Sequence, residues 1–157
     1  MDNALFYPGT VVFEIKSKDK DSAIKEIISR SKVFDDISDK KEFEKAVFTR
    51  EKLSCTGVGH GIAFAHGKIA EITTIKTALG ISRQGIDYGS ADGKPVHLLF
   101  VVATNPSMHL DYLKRLSILA RMARTKNFRE EILACFRQEE VENKLTRIYS
   151  LCEQKVV

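Results

Sequence analysis

The chain has 157 residues, of which 43% are hydrophobic and 29% charged, and 25 basic against 21 acidic residues leave a net charge of +4. This length suits one domain, spanning residues 1–157, with a substantial buried core. Basic and acidic residues are interleaved along the chain rather than gathered in one stripe, which disfavours nucleic-acid binding. The longest apolar run, at 98–103, is too short to span a bilayer and the N-terminus lacks an export pattern, so we expect no membrane insertion and a cytoplasmic location.

The N-terminal half of the chain predicts strands interspersed with helices. β-branched residues in short apolar runs are typical of strands, and apolar residues at a spacing of three or four indicate amphipathic helices. Asp19 or Asp21 is expected to cap the first helix and Asp39 the second. The predicted elements are a strand at 10–15, a helix from about 19 to 30, a helix at 39–51, and strands at 62–65 and 72–82.

The C-terminal half predicts a loop at 87–95, a strand at 96–103 and then helices only. The strand is apolar throughout, which indicates the middle of a sheet. Three helices are expected, one beginning at Ser107 as its cap and the others at about 127–136 and 139–153. The first of these is predicted to bury a stripe of Leu110, Leu113, Leu116, Ala120 and Ala123, widened by Ile118, Leu119 and Met122. The pattern predicts a three-layer α/β domain in which helices flank both faces of a mixed β-sheet, with a helical C-terminal third.

Cysteine and histidine spacing argues against a metal site. Cys55, Cys135 and Cys152 are an odd and scattered set, which is typical of reduced packing residues rather than of disulfides. Cys55, His60 and His66 are five and six residues apart, which matches neither the CxxC nor the HExxH pattern of zinc sites. A serine hydrolase is also disfavoured, since no GxSxG sequence is present. We therefore expect neither a metal nor a cofactor.

The glycine-rich segment TGVGHGIAFAHGK, residues 56–68, is the most unusual stretch of the chain. Gly57, Gly59 and Gly61 alternate, which departs from the dinucleotide-binding fingerprint and from the P-loop. Two interpretations remain open. The free amides of a glycine turn can form an anion-binding nest, or the segment can be a tight turn that only leads into a strand.

Three side chains near this segment and near the later helix start are candidates for phosphate chemistry. His66 follows an apolar strand at the sheet rim, where ligands usually meet side chains. His109 lies in the first turn of a predicted helix, whose unpaired amides favour a bound anion, and Arg50 precedes the glycine segment. Each also has a structural alternative: a satisfied histidine, a surface histidine or a solvated arginine.

The stretch REKLSCTGVGHGIAFAHGK resembles the active-site signature of the enzyme IIA domains of the bacterial phosphoenolpyruvate-dependent sugar phosphotransferase system, in the fructose and mannitol class. The downstream segment GIDYGSADGKPVHLLFVVATNPSMHLDYLKRLSILARM resembles the fructose-type members of the same family. The likeness extends from the first helix to about residue 148.

The resemblance implies a role for each matching position. It implies that His66 is the phosphorylated histidine, that His109 is a second active-site histidine and that Arg50 is the arginine of the signature. The resemblance also implies that Thr56, Gly57, Gly59 and Gly61 form a turn beneath the active site. Three positions depart from the usual pattern, because Ala65 replaces a proline, Cys55 a serine and His60 an asparagine or an acidic residue.

The function that the resemblance implies is that of a phosphohistidine carrier for sugar uptake. The carrier protein HPr is the expected donor to His66, and a cysteine of an enzyme IIB domain, acting in trans, is the expected acceptor. The alternative is a stand-alone nitrogen-regulatory protein, which controls partner proteins according to its phosphorylation state. A third possibility is a decayed domain that no longer accepts phosphate, to which Ala65 lends some weight.

Overall fold

A computed structural model of the chain describes Phe6 and residues 9–154. The strands are β1 (Val11–Phe13), β2 (Gly57–Gly59), β3 (Ile62–Lys68), β4 (Lys76–Ile86) and β5 (Val96–Thr104). The helices are α1 (Lys20–Arg30), α2 (Lys40–Leu53), α3 (His109–Ala123), α4 (Phe128–Leu133) and α5 (Gln138–Glu153). Two short 3-10 turns cover Lys32–Phe34 and Pro106–Met108.

The strands form one mixed sheet in the order β1-β4-β5-β3-β2. β1 runs parallel to β4 and β3 parallel to β5, whereas β4 pairs antiparallel with β5 and β2 with β3. β5 lies at the centre, and every one of its residues except His97 is buried. The predicted central position of this apolar strand is therefore confirmed.

Helices cover both faces of the sheet, and each face has its own apolar core. Alternate residues of β3 enter opposite cores: Ile62 and Phe64 pack on the side of α3, α4 and α5, and Ala63 and Ala65 on the side of α1 and α2. The predicted three-layer α/β fold with a helical C-terminal third is confirmed. Among the helices that the structure describes, none combines the length and apolar content needed to cross a membrane. The assignment of residues 1–157 to one domain stays a prediction.

Two of the predicted helix caps are correct and one is wrong. The side chain of Asp19 caps α1, and that of Asp39 caps α2. Ser107 does not cap α3. Instead, the Asn105 side chain accepts hydrogen bonds from the Ser107 backbone N–H at 2.8 Å and from its hydroxyl at 2.6 Å, and so starts a 3-10 turn. Because that turn comes first, α3 begins at His109.

The predicted buried stripe of α3 is wrong, because none of its five residues is buried, but Ile118, Leu119 and Met122, which were predicted to widen it, are buried. Leu110 is 82% exposed and Leu113 is 45% exposed. The helix carries more apolar residues than one face can bury, so its spacing fits two overlapping stripes. Packing of α3 against the sheet and α5 selects the other face, with buried residues Tyr112, Ile118, Leu119 and Met122.

The strand predicted at 72–82 begins later, at Lys76, and continues to Ile86. Ile69 and Ile72, which contribute to the apolar pattern in this region, are buried in the connection that precedes the strand. A buried loop residue and a strand residue give the same local pattern, which explains the shift. The sequence analysis also missed β2, because the glycines of residues 57–59 are depleted in strands generally.

Candidate functional site

His66 lies near the carboxyl end of β3, opposite Val102 of β5 in the parallel ladder. Since side chains of a strand alternate between faces, His66 shares the face of Ile62 and Phe64, which are buried under the C-terminal helices. His66 itself is only half-buried. Its imidazole therefore lies at the boundary between the apolar core and the solvent.

The ring of His66 is held in one tautomer. Its Nδ1 lies 3.3 Å from the Phe64 carbonyl oxygen, which can only accept, so Nδ1 carries the proton and Nε2 keeps its lone pair. Burial lowers the pKa of His66 below its ordinary value of 6.5, and the charges of Arg50 and Lys68 act in the same direction. The Phe64 carbonyl and the Glu51 carboxylate oppose that shift. At neutral pH the ring is uncharged and Nε2 is available as a nucleophile.

α3 brings two further rings to His66. The ring centroid of Tyr112 lies 5.1 Å from that of His66 and 6.5 Å from that of His109. The ammonium Nζ of Lys68 lies 3.4 Å from His109 Nδ1. Because an ammonium group can only donate, His109 accepts at Nδ1 and carries its own N–H at Nε2. Tyr112 thus contacts both His66 and His109, the two histidines that the resemblance assigns to the active site.

Arg50, near the end of α2, lines the same pocket as His66. The close approach of α2 to β3 depends on Gly67. A Cβ atom there would lie 2.9 Å from both Val47 Cγ2 and Val47 N, so no other residue fits without moving the helix. Arg50 follows Val47 by about one helical turn, and its Nη1 donates to the Ser54 carbonyl at 3.0 Å. The guanidinium is therefore directed toward the end of the helix.

The pocket beside His66 has a volume of about 510 Å³. Ile62, Phe64 and Leu116 contribute apolar walls, and Arg50 and Arg124 contribute positive charge. None of the described residues that line it is an aspartate or a glutamate. A pocket with cations and no carboxylate suits an anion such as a phosphoryl group.

The glycine segment forms a β-hairpin at the edge of this pocket. Gly57 and Gly59 lie in β2, and the turn at His60 and Gly61 leads into β3. Gly59 and Gly61 have positive φ angles of 88° and 76°, which glycine adopts without strain, and His60 between them has a left-handed φ of 58°. Thr56 and Gly59 line the pocket. The phosphate-binding role of Thr56, Gly57, Gly59 and Gly61 stays a prediction, and His60 is exposed.

A buried carboxylate, Glu51, connects α2 to the start of the hairpin. Glu51 is 6% exposed and accepts from the Tyr88 hydroxyl at 3.0 Å, from the Thr56 backbone N–H at 3.3 Å and from the Thr56 hydroxyl. Lys20 Nζ pairs with it at 3.3 Å. Burial raises the pKa of Tyr88, so this phenol remains a donor. We call Glu51, Thr56, Tyr88 and Lys20 the Glu51 network.

The cysteines divide between core and surface. Cys135 and Cys152 are buried, which confirms their predicted packing role. Cys55 is exposed and lines the pocket, so the prediction is wrong for that residue: the chain turns outward between α2 and β2. In Phe6 and residues 9–154, no group of three or more His, Cys, Asp or Glu side chains is placed to hold a metal ion.

Three residues of the site were missed by the sequence analysis. Lys68 lies two residues after His66 on a strand, so period-two alternation places both on one face. Tyr112 lies three residues after His109, which on a helix also gives a shared face. A search for residues on the same strand face as His66 and on the same helix face as His109 would have found Lys68 and Tyr112. For the third, Glu51, no such local signal exists.

The family model described as "Phosphoenolpyruvate-dependent sugar phosphotransferase system, EIIA 2" matches residues 4–147. Two similar proteins have different names. The chain is 33% identical over 124 residues to the fructose-specific EIIABC component of Bacillus subtilis, which covers 79% of this chain and 20% of that protein. It is 29% identical over 130 residues to a nitrogen regulatory protein of Bradyrhizobium diazoefficiens, covering 83% and 84% of the two chains.

Solved structures show the same fold. Nitrogen regulatory protein IIA-Ntr from Neisseria meningitidis superposes with a TM-score of 0.81 at 24% identity, covering 92% of this chain and 96% of that one. Enzyme IIAMTL from Escherichia coli, determined in complex with phosphorylated enzyme IIBMTL, gives a TM-score of 0.60 at 17% identity, covering 92% and 96%. The chain thus spans nearly the full length of these structures but a fifth of the Bacillus subtilis protein.

Proposed function

The chain belongs to the EIIA type 2 family of the phosphoenolpyruvate-dependent sugar phosphotransferase system, and from this premise we propose that it carries a phosphoryl group on His66. Fructose-type components and nitrogen regulatory proteins are both among its relatives. One observation carries the proposal: the half-buried His66 holds its Nδ1 against the Phe64 carbonyl, which leaves Nε2 to react, and it lies in the positive field of Arg50 and Lys68 with the Tyr112 ring 5.1 Å away. This arrangement supports a nucleophile in a cationic setting.

The proposed reaction is an in-line transfer from phospho-HPr. His66 Nε2 attacks the phosphorus, the phosphorus–nitrogen bond to the donor breaks, and its electron pair returns to the donor imidazole. Negative charge on the three equatorial oxygens is offset by Arg50 and Lys68 and by the Nε2–H of His109. The acceptor is the thiolate of an enzyme IIB cysteine: in the second step it attacks the same phosphorus, the phosphorus–nitrogen bond to His66 breaks, and its electron pair returns to His66 Nε2.

Exposed apolar side chains around the site support protein partners. Leu53 is 79% exposed just beyond Arg50, and Val58 is 59% exposed at the pocket. Leu110 and Leu113, exposed on α3, follow His109 directly. A protein that docks on these side chains covers His66, as HPr and an enzyme IIB domain both require. The related Escherichia coli complex pairs an enzyme IIA with a phosphorylated enzyme IIB.

The second candidate function is regulation through binding. It is supported by the likeness to the nitrogen regulatory protein, which covers 83% of this chain and 84% of that protein. Phosphorylation of His66 adds about 1.5 to 2 negative charges, as for other phosphorylated side chains. A partner that docks on the rim of the pocket senses that change, so the same site serves either function.

Incubation with enzyme I, HPr and radiolabelled phosphoenolpyruvate tests the proposal. We expect one acid-labile phosphate per chain and none on His66→Ala. His60→Asn is the matched control, since it changes an exposed histidine of the adjacent turn and asparagine tolerates the positive φ there. His109→Ala is expected to slow uptake by about 10²-fold, the cost of one transition-state donor. Label on His66→Ala, or no label on the wild-type chain, contradicts the proposal.

A second measurement separates transport from regulation. Isolated phosphoprotein is mixed with a fructose-type enzyme IIB, and the label is followed on both chains. Rapid transfer to the IIB cysteine supports transport. A label that stays on His66, together with a partner whose affinity differs between the two phosphorylation states, supports regulation.

A further inference from the structure

Tyr112 is a buried residue with an unused polar group. Its side chain is 4% exposed, and its hydroxyl has no hydrogen-bond partner among the residues that the structure describes. Buried hydroxyls are normally paired, so an unpaired one calls for an explanation. Phenylalanine would fill the same space without leaving a polar atom unpaired.

The position of Tyr112 points to the missing partner. Its ring lies 5.1 Å from that of His66 and 6.5 Å from that of His109, so it neighbours both histidines. The positive charge of Arg50, which lines the pocket together with His66, acts on the phenol of Tyr112. An acceptor introduced at His66 would therefore enter the surroundings of this hydroxyl.

We propose that the Tyr112 hydroxyl donates a hydrogen bond to a non-bridging oxygen of the phosphoryl group on His66. Tyr112 would then be a catalytic residue of this chain, and the inference rests on the proposed function. The bond needs no proton transfer: the phenol keeps its hydrogen and the phosphoryl oxygen its charge. Burial raises the pKa of Tyr112 to about 12, with Arg50 acting weakly against it, so the group is a donor throughout the physiological range.

The arrangement explains why a tyrosine is tolerated in this core. In the unphosphorylated chain the Tyr112 hydroxyl is destabilising, because burial removes its hydrogen bonds to water and no protein group replaces them. In the phosphorylated chain it gains a charged acceptor, and hydrogen bonds to charged groups are about twice as strong as neutral ones. The stabilisation therefore appears only when phosphate is present.

Tyr112→Phe tests the inference, because it removes the hydroxyl and keeps the ring. Uptake of label from phospho-HPr and the half-life of the isolated phosphoprotein are measured, together with the melting temperature of each form. We expect uptake about 10-fold to 100-fold slower, up to the cost of one lost donor, and a shortened half-life. The unphosphorylated variant is expected to melt at the same temperature as the wild type or higher. Tyr149→Phe, a change in a buried tyrosine of α5, is the matched control and leaves uptake unchanged.

The possible outcomes are distinct. Wild-type rate and half-life in Tyr112→Phe overturn the role of Tyr112 while leaving His66 as the carrier. A lower melting temperature of unphosphorylated Tyr112→Phe with normal uptake also overturns it, since the hydroxyl would then serve the fold. If the wild-type chain takes up no label, the proposed function fails and this inference fails with it.

Discussion

Replacing Glu51 by alanine is expected to lower the free energy of unfolding by about 3–5 kcal/mol, as for other broken buried ion pairs. The estimate can be built from the contacts. The Thr56 and Tyr88 hydroxyls lie 2.9 Å apart and still pair with each other without Glu51, so the loss leaves the Thr56 backbone N–H and one hydroxyl hydrogen unpaired, and each unpaired buried donor costs about 1–3 kcal/mol. The Lys20 side chain is 27% exposed and partly recovers its hydration, so it adds less.

Thermal and urea unfolding followed by circular dichroism measure this loss. For a chain of this size, about 3–5 kcal/mol corresponds to a fall in melting temperature of roughly 6–20 °C. Glu44→Ala is the control, since Glu44 is on the same helix, is partly exposed and has no hydrogen bond or ion pair within the described part of the chain. It is expected to change stability by no more than about 0.5 kcal/mol.

A double-mutant cycle tests whether the Glu51 network acts as a unit. Tyr88→Phe removes one of the donors that Glu51→Ala leaves unpaired, so the double variant is expected to be less destabilised than the sum of the single variants. A loss below about 1 kcal/mol in Glu51→Ala would refute the reasoning, because a buried carboxylate with three partners cannot be that dispensable. Strict additivity in the cycle would refute the coupling.

Three further predictions concern the groups around the proposed phosphoryl site. In an NMR titration His66 should have a midpoint below 6.5, and Arg50→Ala should raise that midpoint. Because the pKa of His66 is lower in the folded than in the unfolded chain, its contribution to stability is present above pH 6.5 and is lost as the pH falls through the folded pKa. A midpoint at or above 6.5 contradicts this prediction. Lys68→Met removes the donor to His109 Nδ1, so the ring nitrogens of His109 should shift toward a mixture of tautomers and uptake of label should slow by about tenfold; unchanged nitrogen shifts would speak against the contact. Gly67→Ala should lower stability by about 1–3 kcal/mol through overpacking and also slow uptake by moving α2, and a variant with wild-type stability and uptake would show that the close approach is unimportant.

The elements that the sequence predicts best are those with strong local signals. α1 and α2 combine an aspartate cap with a single apolar face, and both were located within about two residues at each end, the usual scatter between assignments. α3 lacks both advantages, because it has no side-chain cap and carries apolar residues on two overlapping faces. Only the neighbouring sheet and α5 decide between those faces, and no local pattern contains that information.

The residues of the candidate site also fall into those that a local sequence pattern identifies and those that only the assembled fold brings together. His66, His109 and Arg50 were identified through a sequence signature, and the structure brings all three to one region through β3, α3 and α2. The Glu51 network is different in kind. Glu51 and Tyr88 are 37 positions apart, and they meet only because the hairpin and the loop after β4 fold back onto α2. Contacts of this range depend on the assembled fold.

Helix α3 couples chemistry and recognition, and this limits how a partner can read the phosphorylation state. Tyr112 faces inward to His66, whereas Leu110 on the same turn is 82% exposed. Under the proposed function, a partner that docks on that leucine would contact the helix that also carries His109 and Tyr112, so we expect an enzyme IIB and a regulated protein to compete for this surface. The unphosphorylated pocket presents Arg50 and Arg124 without any lining carboxylate in the described residues, and it favours an acidic partner. A phosphoryl group on His66 offsets those charges, so a partner that prefers the phosphorylated form must bring cations or neutral donors of its own.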